Sequence, residues 1–160
     1  MSIVTYYSTL PSPVGEIILL GSQNGLSGLY LRTEAKPTPI PSSAVCNNEF
    51  FSEIVSQLHD YFAGKLRQFT TTFDLKGTEF QKKVWLELYK IPYGTVISYK
   101  ELAKRVDSPK AVRAVGSANG KNPISIIIPC HRVIGANGGL GGYGWGLDIK
   151  KQLISLEAHV

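Results

Sequence analysis

Cysteine and histidine are scarce in this chain. Cys46 and Cys130 are the only thiols, and three histidines accompany them. Two cysteines do not form a disulfide framework, and none of these residues falls at metal-ligand spacing, so neither staple nor zinc organises the fold. A reduced, cytoplasmic compartment (nuclear in a eukaryote) is the expectation that follows. No apolar run approaches the ~20 residues that cross a bilayer. The N-terminus lacks a basic region followed by an apolar stretch, so no secretory leader and no membrane partner are expected. The glycine-rich stretch near the C-terminus has no Gly-Lys-Ser/Thr ending, which argues against a phosphate loop.

What is present fits an ordinary core. The 160 residues are 43% hydrophobic, enough for one domain or two small ones. Charge divides them. Residues 1–72 carry four Lys and Arg against five Asp and Glu, a net −1; residues 73–160 carry thirteen against seven, a net +6. The boundary is therefore expected between 1–72 and 73–160, with a polyanion as the partner of the second part.

The first part reads as three strands, Ile3–Tyr7, Glu16–Leu20 and Leu26–Leu31, joined at Ser12-Pro13-Val14-Gly15 and Gly21–Gly25 as an antiparallel meander. A proline-rich loop, Lys36–Pro41, leads to a helix with Phe50, Ile54, Leu58 and Tyr61 on one face, ending at Gly64. Cys46 reads as a spare thiol in that loop. His59 reads as a surface residue.

The second part is helical. Thr78-Glu79-Phe80-Gln81 opens a helix as a capping box, with Phe80, Val84 and Leu88 on one face. Ser98-Tyr99-Lys100-Glu101 opens another. Ser108 and Pro109 suit the start of a third, Lys110 to about Ala118, which ends at Asn119-Gly120. Two short helices about a tight turn make a helix-turn-helix candidate. In the third helix Ala111, Val112, Ala114, Val115, Gly116, Ser117 and Ala118 are small, and Arg113 alone is long. Such a helix lies close to a surface and projects one arginine, as a minor-groove reader does; the alternative is tight helix–helix packing. The last helix runs from about Leu147, with Ile149, Leu153 and Leu156 inward and Lys150 and Lys151 outward.

The stretch Ile126-Ile127-Ile128-Pro129-Cys130-His131 carries the chemistry. The apolar run reads as a short buried strand that proline terminates. A thiol fixed at that end beside an imidazole is a candidate nucleophile, although buried structural cysteines are also common.

Pro129-Cys130-His131-Arg132-Val133 resembles the active-site signature of O6-alkylguanine-DNA alkyltransferases, the methylated-DNA–protein-cysteine methyltransferases. The resemblance runs through Gly77–Gln81, Ile91-Pro92-Tyr93-Gly94, Ser98-Tyr99, Arg113–Gly116, Asn122-Pro123 and Glu157. It implies an α+β protein: an N-terminal RNase H-like antiparallel sheet with a helix, then a winged helix-turn-helix domain. It also implies single-turnover transfer of a methyl or larger alkyl group from O6-alkylguanine in duplex DNA to Cys130, with O4-methylthymine left open. In that scheme Glu157 orients His131, which deprotonates Cys130 through water, and Tyr99 assists guanine departure and also contacts DNA near the flipped base's phosphate. Asn122 braces the turn before Cys130. The Cys130 and Val133 carbonyls accept from the exocyclic amine, Tyr143 walls the pocket, and the Gly144 amide faces the alkylated oxygen. Arg113 fills the stack left by the flipped base, and Ala111, Val112, Ala114 and Gly116 form the minor-groove face. Trp145, where some members carry a small residue, is expected to restrict large alkyl groups. No cofactor, metal or obligate protein partner is implied, and a monomer is expected. Two alternatives stand beside this reading: a lesion binder that does not transfer, and a Cys-His hydrolase, for which no oxyanion site is evident.

Overall fold

A computed structural model describes residues 3–34, 36, 37 and 39–158. Thr38, within the proline-rich loop expected at Lys36–Pro41, lies outside them. The chain forms two compact units, Met1–Leu75 and Lys76–Val160.

The first unit is a four-stranded sheet in the order β3-β2-β1-β4. β1 (Tyr6–Leu10), β2 (Glu16–Ser22) and β3 (Gly25–Arg32) form the expected antiparallel meander. β1 starts three residues later than the pattern suggested. The Ser12–Gly15 turn closes through Gly15 N–H donating to Ser12 O at 3.1 Å, with Gly15 at φ +121°, where a side chain would be strained. β2 is central, and Ile17, Ile18 and Leu19 are all buried, as strands covered on both faces require. One strand escaped the sequence reading. β4 (Val45–Cys46) adds parallel to β1, so Cys46 sits on an exposed edge strand instead of in a loop. α1 (Ser52–Phe62) buries Ile54, Leu58 and Tyr61. Just before it Phe51 is buried and Phe50 exposed, and both rings approach Gly21 of β2, where a Cβ would lie 3.3 Å from each.

In the second unit α2 (Glu79–Tyr89) is capped as expected: Thr78 Oγ1 accepts from Gln81 N–H, and Gln81 Oε1 accepts from Thr78 N–H. Trp85 takes a core place beside Val84 and Leu88, while Phe80 is half-buried. Its indole N–H donates to Ala118 O at 2.8 Å. β5 (Ile97–Ser98) leads into α3 (Tyr99–Arg105), where Ser98 Oγ accepts from Glu101 N–H. α4 (Val112–Gly120) starts later than expected. Ser108 does not cap it; the Ala111 amide donates to Ser108 O in a turn, and Ala111 precedes the helix. A 3₁₀ turn (Cys130–Arg132) runs into β6 (Val133–Ile134), which pairs parallel with β5, and α5 (Leu147–Ala158) follows. No helix among the described residues is long and apolar enough to cross a membrane.

Candidate active site and nucleic-acid interface

The run before Cys130 is not a strand. Residues 124–128 form consecutive buried turns: Ile127 N–H donates to Ser125 O, and Ile128 N–H to Ile124 O. Asn122 supplies what a sheet neighbour would have supplied. Its Nδ2 donates to Ile128 O at 2.7 Å and its Oδ1 accepts from Ile124 N–H at 3.0 Å. Ile126 stands at φ +73°, a costly conformation for a β-branched residue and one that clusters at functional sites. The result is a tight knot that sets Cys130, 5% exposed, at the head of the 3₁₀ turn.

His131 and Glu157 meet inside the fold. The imidazole Nε2 lies 2.6 Å from Glu157 Oε2, and both side chains are buried. Burial works to raise the Glu157 carboxyl, yet the hydrogen bonds and charges of His131 and Arg132 outweigh it and hold the group at about 2. A carboxylate therefore accepts from Nε2–H, which leaves the Nδ1 lone pair free. Nδ1 is buried and has no protein partner. Burial, with the nearby Arg132 and Lys150 charges, depresses the imidazole against the pull of Glu157, so it rests neutral. The Cys130 thiol is pushed up by burial, while Asn122, Lys150 and Ser125 work against that. A buried thiol with a raised pKa needs a neutral base, and the imidazole beside it is one.

Around this pair lie two side chains the sequence reading did not use. Arg132 is buried in the 3₁₀ turn; Nε and Nη2 grip the two Glu157 oxygens at 2.7 and 3.0 Å. Lys150, expected outward, is fully buried. Its Nζ donates to Val133 O at 2.7 Å, to Gly142 O at 3.0 Å and to Leu140 O, tying the glycine-rich loop to the segment after Cys130. The face of α5 is thus Lys150, Leu153 and Glu157, with Ile149 and Leu156 only half-buried. Three carbonyls that need donors explain why a charged residue turns inward. In that loop the Tyr143 hydroxyl is buried, and burial ahead of neighbouring Cys130 raises its pKa well above the ordinary value, with Ser125 working against that. Trp145 is half-buried and bonded to Ser125, and Gly144 is exposed. The Val133 and Cys130 carbonyls each already accept one bond, from Lys150 and from the Val133 amide. Each keeps a second lone pair.

Tyr99, the first residue of α3, is half-buried against Gly116 and Gly141; a Cβ on Gly141 would lie 2.9 Å from the Tyr99 hydroxyl. Burial, ahead of an opposing Gly142 amide, raises its phenol, which stays protonated at neutral pH. Burial divides α4 into two faces. Val115, Ala118 and Asn119 face the core, whereas Val112, Arg113, Ala114 and Ser117 are exposed and Ala111 and Gly116 half-buried. Small side chains thus surround Arg113 on the solvent face, and the opposite face packs into the unit.

Two family models cover the chain: 6-O-methylguanine DNA methyltransferase, ribonuclease-like domain, over residues 5–75, and its DNA binding domain over residues 79–159. The chain belongs to this methyltransferase family. A methylated-DNA–protein-cysteine methyltransferase of Methanosarcina acetivorans is 52% identical over 95% of this chain and 97% of its own. One from Mycobacterium leprae is 49% identical over 94% and 91%. Among solved structures, the Mycobacterium tuberculosis O6-methylguanine methyltransferase superposes with a TM-score of 0.88 at 46% identity, covering 97% of this chain and 93% of that one. The Mycobacterium tuberculosis enzyme in complex with DNA superposes at 0.89 with 45% identity, covering 96% and 92%. The mixed α and β architecture, with a ribonuclease-like unit before a DNA-binding one, is that of the methyltransferase family.

Around Cys130, residue type hid two side chains from the sequence reading. Arg132 lies inside the signature run and Lys150 stands at i−3 from Leu153 and i−7 from Glu157, a helical face; that spacing was the available signal. Among the described residues no three His, Cys, Asp or Glu side chains gather as a metal site.

Proposed function

We infer that this protein reverses DNA alkylation directly, by moving the alkyl group of O6-alkylguanine in duplex DNA onto Cys130. The buried Glu157–His131 pair next to a buried thiol supports this reading most. The imidazole Nδ1 takes the thiol proton through a bridging water. The thiolate sulfur then bonds to the alkyl carbon as the carbon–O6 bond breaks and guanine leaves with the electron pair. Tyr99, a protonated phenol, hydrogen-bonds the ring as negative charge develops there, and the proton taken from sulfur balances the one guanine gains. The thioether has no route back within the chain, so each molecule reacts once.

Substrate access follows from the helices. A base paired in a duplex must be flipped out to reach a thiol this enclosed. α4 offers the minor-groove face, Arg113 the side chain that fills the stack, and Lys and Arg of the second unit the phosphate attraction. The Cys130 and Val133 carbonyls accept from the exocyclic amine with their remaining lone pairs, the Gly144 amide faces O6, Tyr143 closes one wall and Asn122 holds the turn. The protein acts as a monomer in the cytoplasm, without a cofactor.

The test is a duplex oligonucleotide carrying one O6-methylguanine. Wild type should restore guanine and add one methylene of mass to the Cys130 peptide, once per molecule, and Cys130→Ala should do neither. Tight lesion binding with an unmodified Cys130 would instead mark a lesion binder.

A further inference from the structure

Among the described residues, four donors reach Glu157. His131 Nε2 stands at 2.6 Å, Arg132 Nε at 2.7 Å, Arg132 Nη2 at 3.0 Å and the Gly94 amide at 3.4 Å. The remaining guanidinium nitrogen, Arg132 Nη1, donates to Ile91 O at 2.6 Å, and its Cζ lies 5.8 Å from the Tyr93 ring centroid. The guanidinium is thus fixed at both ends, between the turn after α2 and the carboxylate, and is only 6% exposed. A planar fork on both carboxylate oxygens sets the plane of the acceptor as well as its place.

We propose that Arg132 is a positioning residue for alkyl transfer: its clamp fixes Glu157 against His131, so that the imidazole holds its tautomer and the proton taken from Cys130 stays on the ring. This rests on the transfer reading above. When Nδ1 accepts the thiol proton, an imidazolium forms beside Glu157. A buried carboxylate without a second cation is a competing home for that proton. The Arg132 charge removes the competition. Without it Glu157 rises from about 2, since burial is then less opposed, and His131 rises too, because Arg132 also depresses the imidazole. Among the described residues, the other ionisable groups around Glu157 are Tyr143 from the glycine-rich loop, Tyr93 through its bond to Leu156 O, and Lys150 on α5, which acts on His131. None of them reaches the carboxylate as Arg132 does.

The experiment is the methyl-transfer rate from duplex DNA against pH, for wild type, Arg132→Lys and Arg132→Gln. In Arg132→Gln the acid limb should move up by about 1–3 pH units, the effect of one adjacent opposite charge. Arg132→Lys keeps the charge without the fork. Its limb should stay near wild type while its plateau rate falls about tenfold, the usual scale for one lost orienting contact. Should Arg132→Gln fail to fold, Arg132→Lys decides, and wild-type rate in that variant overturns the proposal. An unmoved limb in folded Arg132→Gln also overturns it, since a packing role lowers rate without shifting pH dependence. Absence of methyl on Cys130 in wild type would instead defeat the transfer reading itself.

Discussion

Trp145 donates its indole N–H to Ser125 Oγ at 2.8 Å, bridging the glycine-rich loop and the turn that leads into Cys130. Both the indole's bulk and its tether are therefore set beside the nucleophile. Trp145→Gly should raise transfer of a benzyl group relative to methyl by about tenfold or more, the scale on which pocket volume discriminates. Trp145→Phe keeps most of the bulk and drops the tether. Competing methyl and benzyl substrates on both variants separate the two contributions, and unchanged ratios in Trp145→Gly would remove Trp145 from size selection.

Tyr99→Phe should slow transfer by roughly 10²-fold, the lower range for a lost acid catalyst, while leaving duplex affinity near wild type. Single-turnover rates at saturating protein give the comparison. A larger loss of affinity than of rate would assign Tyr99 to DNA contact instead.

Arg113 is exposed on α4, so its removal should leave the melting temperature unchanged. Unstacking a base takes a few kcal/mol. Arg113→Ala should therefore lower transfer from duplex DNA by about tenfold or more, yet barely change reaction with the free alkylated base. Equal losses on both substrates would contradict a role in extrusion.

Acid stability follows from Glu157. Its folded pKa, about 2, lies below the ordinary 4.5. A depressed carboxyl contributes stability that is complete above the unfolded value and disappears as pH falls through the folded one. Between about pH 4.5 and pH 2 the protein should lose roughly 3 kcal/mol from this group. Urea midpoints measured across that window should fall steeply in wild type. In Glu157→Gln they should start lower at neutral pH and fall less.

Thr78→Ala removes one half of the capping box that starts α2. About 1 kcal/mol of stability should be lost, without change in transfer rate at temperatures below melting. Differential scanning calorimetry reads the shift.

Local pattern carried much of this fold. The meander, the capping box at Thr78, the Ser98 cap and the helix-turn-helix are built from residues close in sequence, so periodicity and turn chemistry expose them. The Ile126–Ile128 run misled because its backbone partners come from Asn122, a side chain whose reach no periodicity reports, and because Ile126 adopts a left-handed conformation unusual for its type. β4 is two residues long and exists only by pairing with β1, thirty-nine positions away from Tyr6 to Val45. Lys150 failed for a related reason. A charged residue in a helix defaults to solvent, and only the folded glycine-rich loop shows the carbonyls that draw it in. Glu157 stood out from other surface-type acids through the family resemblance alone; its distance from His131 in sequence leaves no spacing to read.

The Trp85–Ala118 bond sets the pose of α4 from behind, through a helix on its inner side. One flank of the helix is thereby held, and the other is left to solvent. If the proposed minor-groove contact holds, substitutions at Val112, Arg113, Ala114 and Ser117 should retune the grip on a damaged duplex while the surroundings of Cys130 keep their shape, which makes that flank the place to engineer lesion search separately from reactivity.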